Sequence, residues 1–78
     1  MIIHYTLHAL ERMKQRGIDR ELVYDCLRNP DKEEEIGNSL RCVKKLNGKV
    51  LVVIYERVND TAIVITVYIT SKIHKYLS

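Results

Sequence analysis

The spacing of apolar residues changes once along this chain, between the segment up to Pro30 and the part that follows Asn38. In the first part apolar residues recur every three or four positions, the period of an amphipathic helix. In the second part they alternate with polar residues or form short runs, the patterns of half-buried and central strands. The 78 residues suffice for one domain. The sequence therefore predicts a single α+β domain over residues 1–78, with two N-terminal helices packed on one face of a three- or four-stranded antiparallel sheet.

The two predicted helices have clear signals at their ends. The first extends over Leu7–Arg16, with Thr6 as its N-cap and Gly17 in the left-handed conformation that often ends a helix. The second extends over Arg20–Arg28 and follows the N-cap Asp19. It ends before a proline, because the residue that precedes proline is pushed out of helical backbone angles. The short connection between them predicts an angled pair of helices.

Three strands are predicted after the helices, over Leu40–Leu46, Lys49–Val58 and Thr61–Thr70. The pair Asn47-Gly48 between the first two predicts a tight type I′ turn, which needs positive φ at both residues. Glu33–Gly37 forms either a short edge strand or a loop. Ser71–Ser78 has the composition of a polar, basic tail.

Alternation along the last strand predicts which side chains face the helices. The inward set is Ile63, Ile65, Val67 and Ile69. The opposite face of the sheet is expected to be open and to carry Tyr68 and Thr66 with some of Arg41, Lys45, Tyr55 and Arg57. An open face that presents Tyr, Arg and Lys is suited to a single strand of RNA.

The formal net charge of +3 hides an uneven distribution of charge. Asp31–Glu35 holds four acidic residues and one lysine, so twelve basic and six acidic residues remain elsewhere, an excess of six. Such an excess suits a polyanionic partner if the cations cluster on the surface. The alternative is a solvated surface of mixed charge with no partner.

The composition argues against several classes of protein. The chain has no Phe and no Trp, so its core is aliphatic, and a stacking pocket for a planar cofactor is not expected. The longest apolar runs, Val50–Ile54 and Ala62–Ile65, are far shorter than the roughly 20 residues of a membrane span. The N-terminal residues do not have the pattern of a signal peptide. We therefore expect a cytoplasmic protein with no cofactor and no membrane contact.

The cysteines and acidic residues do not form a metal-binding pattern. Cys26 and Cys42 fall on apolar positions and are predicted to be buried and reduced; a disulfide is the weaker interpretation in a reducing compartment. Neither has a Cys or His at ligand spacing. The three adjacent acids of Glu33–Glu35 point to alternating faces if they lie on a strand. No metal site is expected.

One helical stripe has the residue types that metal-free RNA cleavage requires. His8, Arg12 and Arg16 are spaced four apart on the first helix and lie on one side of it. Histidine can act as general base or acid, because its ordinary pKa is near neutrality. Arginine grips phosphate through two hydrogen bonds and stabilises charge that develops there.

The candidate residues extend beyond this stripe to the last strand and the tail. The predicted catalytic set is His8, Arg12, Arg16, Tyr68, Lys72, His74 and Tyr76. The predicted nucleic-acid-binding set is Arg12, Arg16, Arg41, Lys45, Lys72 and Lys75. Two alternatives stay open: the helical stripe is ordinary solvated surface, or the tail residues are frayed.

At these residues the chain resembles a group of small prokaryotic domains known only as a domain of unknown function. The segment from His8 to Ile18 is similar to the opening of that group, which has a His-Ala start followed by Arg-Met, a paired-Arg helix and a Gly-Ile turn. The Asn29-Pro30 helix end also fits. The segment Val64–Lys72 resembles its closing strand.

The resemblance has implications for fold and function. The group resembles the RelE/ParE and BrnT toxins, which implies a RelE-like fold and an endoribonuclease or a protein that binds RNA or the ribosome. A RelE-type site relies on Lys, Arg and a C-terminal Tyr, for which Tyr76 or Tyr68 is the nearest match. ParE relatives share the fold without cleaving RNA. The alternative function is a non-catalytic module that binds an acidic antitoxin or another protein; the oligomeric state is left open.

Overall fold

The computed structural model describes all 78 residues. The strands and helices follow one another along the chain in the order β1 (Ile2–Tyr5), α1 (Leu7–Arg16), α2 (Arg20–Arg28), β2 (Lys32–Ile36), β3 (Ser39–Lys45), β4 (Val50–Val58), β5 (Thr61–Thr70) and α3 (Ile73–Leu77). The five strands form one sheet in the order β1-β5-β4-β3-β2. β1 is parallel to β5, and the other neighbours are antiparallel.

The α+β class and the two N-terminal helices are confirmed, and both helices have the predicted ends. The Thr6 hydroxyl accepts a hydrogen bond from the N–H of Ala9 at 3.1 Å, and Gly17 has φ of +63°. The Asp19 carboxylate accepts from the N–H of Leu22 at 2.9 Å. These caps satisfy N–H groups that have no partner within the helix.

The sheet differs from the predicted one in strand number and direction. For Glu33–Gly37 the sequence predicted either a short edge strand or a loop, and the structure shows an edge strand, β2. β1 was not predicted at all. It is only four residues long and pairs with Thr61–Val64 at the far end of the chain, so no local turn signals it. The sheet is therefore mixed and not purely antiparallel.

The last residues form a packed helix and not a polar tail. Ile73, Tyr76 and Leu77 stand three and four positions apart, so they share one face of α3. That face packs on the side of the sheet opposite α1 and α2, where Tyr76 is 7% exposed beside Val43 and Val52. The prediction of an open second face is thus wrong over β3 and β4.

A bulge in β5 changes the predicted inward set. Tyr55 is opposite Val64 while the preceding Ile54 is opposite Thr66, so Ile65 is an extra residue. The alternation therefore shifts by one residue: Val64 is fully buried in the main core, whereas Ile65 is partly exposed. Tyr55 is also a core residue, with its ring fully buried on the helix side, so its prediction as an open-face residue is wrong.

The Asn47-Gly48 turn lies where it was predicted but has another geometry. The Leu46 N–H donates to the Lys49 carbonyl at 2.8 Å, and Gly48 has φ of +74°. Asn47 does not have positive φ, so the turn is not type I′; positive φ at the second central residue alone is the pattern of a type II turn.

The prediction for the two cysteines is confirmed, because both are fully buried and unbridged. The Cys42 thiol donates to the carbonyl of Cys26 at 3.1 Å. The contact with Cys42 and burial raise the pKa of the Cys26 thiol, so Cys26 stays protonated at neutral pH.

Candidate nucleic-acid interface

The stripe on α1 lies in a groove beside β5. Ala9 and Met13 are buried against the sheet, which turns the side of α1 that carries His8, Arg12 and Arg16 toward the edge of β5. These three side chains and the β5 residues Thr66, Val67 and Tyr68 line an open groove of about 330 Å³. A four-residue spacing advances about 6 Å along a helix, so the three groups follow one another along the groove.

One threonine fixes α1 at this edge. Besides capping the helix, the Thr6 hydroxyl donates to the carbonyl of Ile65 at 3.0 Å, and the Thr6 N–H donates to the carbonyl of Val64 at 3.0 Å. β1 pairs only with Thr61–Val64, so no strand lies along the outer side of Thr66–Thr70. The groove is therefore the space between α1 and an unpaired strand edge.

The cations of the groove have no acidic partner. The ion pairs of the protein are Arg41–Glu34 and Lys44–Asp25, and neither involves a residue of α1. Arg12 makes only long contacts, with its Nε donating to His8 Nε2 at 3.5 Å and its Nη1 donating to a Gln15 oxygen at 3.5 Å. The positive charge of the groove is uncompensated within the chain.

A chain of contacts connects the groove to the other edge of the sheet. The hydroxyls of Tyr68 and Tyr76 are 3.0 Å apart, and their rings meet edge to face. The Arg41 guanidinium lies 5.1 Å from the centre of the Tyr76 ring and pairs with Glu34. Burial and the Tyr76 hydrogen bond raise the pKa of Tyr68 to about 12, so its hydroxyl stays protonated at neutral pH.

The structure brings together some of the predicted residues and separates others. His8, Arg12, Arg16 and Tyr68 share the groove, and Tyr76 lies one hydrogen bond behind Tyr68. The remaining predicted residues do not line it: Lys72, His74 and Lys75 are exposed on or next to α3, Lys45 is exposed at the end of β3, and Arg41 is bound to Glu34.

Sequence reasoning missed the roles of two residues. Thr66 was placed on the same face as Tyr68 but was not included among the candidates, although it lines the groove. Glu34 was seen only as part of an acidic run, although it holds Arg41. The register Glu34↔Arg41 follows from the turn between β2 and β3, so an edge-strand assignment would have revealed the pair.

The groove offers three kinds of group to a phosphodiester. Two guanidinium groups can hold phosphate oxygens, an imidazole nitrogen can accept a proton, and a protonated phenol can donate one. The lining contains no carboxylate. No group of three or more His, Cys, Asp or Glu side chains is placed to hold a metal ion. None of the three helices is long and apolar enough to cross a membrane.

These features define a small α+β domain with a cationic groove at an open strand edge. The chain belongs to the family described as Domain of unknown function (DUF4258), whose profile matches residues 5–69. The match includes α1 and nearly all of β5 but ends before α3. No curated protein and no solved structure matches the chain. Membership confirms the resemblance to a family of unknown function, while a relation to toxins stays a prediction.

Proposed function

We propose that this protein is a toxin-like, RelE-related domain that binds single-stranded RNA, free or on the ribosome, and cleaves it without a metal ion. One observation carries the proposal: His8, Arg12 and Arg16 line a single groove with Tyr68, and none of them has an acidic partner. Cations without an acidic partner in the protein are available to an anionic ligand, and cations in a row suit consecutive phosphates.

The proposed reaction uses the 2′-hydroxyl of the RNA as nucleophile. His8 takes the proton of this hydroxyl while its oxygen attacks the neighbouring phosphorus. Arg12 and Arg16 stabilise the charge on the phosphate oxygens. The bond to the 5′-oxygen breaks, and that oxygen takes a proton from Tyr68. His8 then releases its proton to water and Tyr68 takes one from water, so both side chains return to their starting states. The products are a 2′,3′-cyclic phosphate and a 5′-hydroxyl end.

The test compares the wild-type protein with matched variants on single-stranded RNA, total RNA and translating ribosomes, each with and without EDTA. We expect cleavage that EDTA does not abolish. His8→Ala should reduce the cleavage rate about a hundredfold or more with RNA affinity retained, since it removes the general base. Lys14→Ala removes a cation from the same helix but outside the groove, so it serves as the charge control and should remain close to wild type.

A second candidate function is a non-catalytic module that binds an acidic protein, such as an antitoxin. The unpaired outer side of Thr66–Thr70 favours it, because an extended segment can add to such an edge as a further strand. Acidic side chains on that segment would meet the stripe on α1. If the wild-type protein neither binds RNA at low salt nor cleaves it on ribosomes, while a peptide of alternating Glu and Val binds, this function replaces the first.

A further inference from the structure

The exposed apolar side chains of the protein cluster around β1. The large hydrophobic residues with substantial exposure are Met1, Ile2, Leu7, Tyr24, Ile36 and Val58. Met1 and Ile2 lie at the start of β1, Leu7 follows its end by two residues, and Val58 and Tyr24 line the grooves on its two sides. Ile2 is 58% exposed and Val58 is 50% exposed. Single exposed apolar residues are ordinary, but several of them around one edge strand indicate an interaction surface.

Each face of β1 borders a groove. On one side Val58, His4 and Ile63 contribute to a groove of about 400 Å³. On the other side Ile3 and Tyr5 form a groove of about 520 Å³ with residues of α2, namely Arg20, Glu21, Tyr24 and Asp25. This second groove contains one cationic and two anionic side chains. Its surface can therefore pair with a copy of itself.

The backbone of β1 has unpaired groups between these grooves. Ile2 donates its N–H to Asp60 at 3.1 Å, and Thr6 donates to Val64 at 3.0 Å, so the even-numbered residues of β1 face β5. In a parallel pair of strands, every second residue directs its backbone N–H and C=O groups away from the partner strand. The N–H and C=O groups of Ile3 and Tyr5 consequently lie on the free edge of the sheet.

We propose that β1 is a dimerisation edge and that its occupant is a second copy of this chain. Antiparallel pairing of two β1 strands about a two-fold axis at His4 places Ile3 of one copy opposite Tyr5 of its partner. Each such pair exchanges both backbone hydrogen bonds. The axis also brings the α2 residues of the two copies to the same side of the joined sheet, where Arg20 of one copy faces the acidic side chains of the other.

Self-complementarity favours a second copy over a different protein. Ile3 and Tyr5 are separated by one residue, so the same two donors and two acceptors satisfy each other in a closed, isologous pair. Apolar side chains border both faces of the strand and charges of both signs lie on α2, which is the combination that a two-fold interface requires. The dimer does not depend on the proposed ribonuclease function.

Sedimentation velocity across a concentration series tests the dimer with a matched pair of variants. Ile2→Lys places a charge at the proposed interface, whereas Ile36→Lys makes the same change on β2, the opposite edge of the sheet, where Ile36 is 41% exposed. We expect a wild-type dimer that Ile2→Lys weakens about tenfold or more and that Ile36→Lys leaves intact. A monomer at every concentration, or equal effects of the two variants, overturns the proposal.

Amide hydrogen exchange provides a readout at the backbone itself. We expect exchange at Ile3 and Tyr5 to slow as protein concentration rises, because these N–H groups enter inter-copy hydrogen bonds. The amides of Glu33 and Glu35 on the opposite edge strand serve as the internal reference and should exchange at a rate independent of concentration. Exchange at Ile3 and Tyr5 that is equally independent of concentration contradicts pairing through β1, even if the protein is a dimer.

Discussion

The β2 edge of the sheet and the groove beside β5 carry opposite charges: three acidic groups on the β2 side have partners within the chain, whereas the cations of the groove have no acidic partner. On the β2 side, Glu33 accepts a hydrogen bond from the hydroxyl of Tyr55 and Glu34 pairs with Arg41. Beside them, the Asp31 carboxylate accepts from the N–H of Lys45 at 2.6 Å. At the groove, neither His8 nor the two arginines of α1 have an acidic partner.

This difference separates charges that help to form the fold from charges that are free to bind. The acids of β2 hold tyrosine and arginine side chains in place: burial and the Glu33 hydrogen bond raise the pKa of Tyr55 to about 12, so its hydroxyl stays a donor. The cations of α1 do nothing comparable for the fold. A net charge of +3 does not reveal this distinction, because it adds engaged and free charges together.

The largest effect on stability is expected from substitution of Tyr76, whose ring packs beneath α3 and contacts Arg41. Tyr76→Ala removes a buried ring that fastens α3 and on which Arg41 lies, so it should lower the free energy of unfolding by about 3 kcal/mol. Tyr76→Phe loses only the hydrogen bond to Tyr68 and should cost about 1 kcal/mol. Urea unfolding measures both. Equal costs for the two variants would mean that α3 is not packed on the sheet.

The parts of the fold that could be predicted are those with local signals. The caps Thr6, Asp19 and Gly17 defined both N-terminal helices, because a cap acts within four residues of its own position. β1 and the Ile65 bulge could not be predicted in this way. β1 depends on a partner strand that lies 59 positions away, since Ile2 is opposite Thr61, and so distant a partner leaves no mark on local spacing. The bulge depends on the register between β4 and β5, which the alternation along β5 alone does not contain.

The same limit applies to the candidate site. The stripe on α1 follows from a four-residue spacing and was predicted in full, and Tyr68 follows from alternation on β5. The helical face of α3 was missed because hydrophobic spacing over five residues is a weak signal, although Ile73, Tyr76 and Leu77 have it. Arg41 was included in the predicted nucleic-acid-binding set as if its charge were free. Its ion pair with Glu34 can be recognised only once β2 is paired with β3.

An intermediate effect is expected from Arg41→Met, which keeps the length of the side chain and removes its charge. Loss of the contact between the guanidinium and the Tyr76 ring should lower Tm by about 5 °C. The Arg41 hydrogen bond also lowers the pKa of Glu34 from its ordinary value of 4.5. A carboxylate with a lowered pKa in the folded state stabilises the protein above the unfolded pKa, and this contribution is lost as the pH falls through the folded pKa.

The pH dependence of Arg41→Met therefore has a definite sign. The difference in thermal stability between wild type and Arg41→Met should be largest at neutral pH and should shrink on acidification below about pH 4.5, where Glu34 becomes protonated in the wild type as well. Thermal unfolding followed by circular dichroism from neutral to acidic pH measures it. A difference that stays constant over this range would show that the ion pair contributes nothing and that only packing on Tyr76 matters.

The smallest effect on stability, and the sharpest test of the comparison, is expected from Arg12→Ala in the groove. Because Arg12 makes no ion pair, its removal should change the free energy of unfolding by no more than about 0.5 kcal/mol. Binding of single-stranded RNA should respond differently. Loss of one phosphate contact means that RNA binding releases fewer counterions, so the slope of log affinity against log salt should become shallower by about 0.7. Lys14→Ala removes the same formal charge outside the groove and should leave that slope nearly unchanged. If Arg12→Ala and Lys14→Ala shift the slope equally, RNA senses only the overall charge of the protein and the groove is not its binding site. If instead Arg12→Ala destabilises the fold as much as Arg41→Met does, the cations of α1 are structural and the distinction between the two regions is wrong.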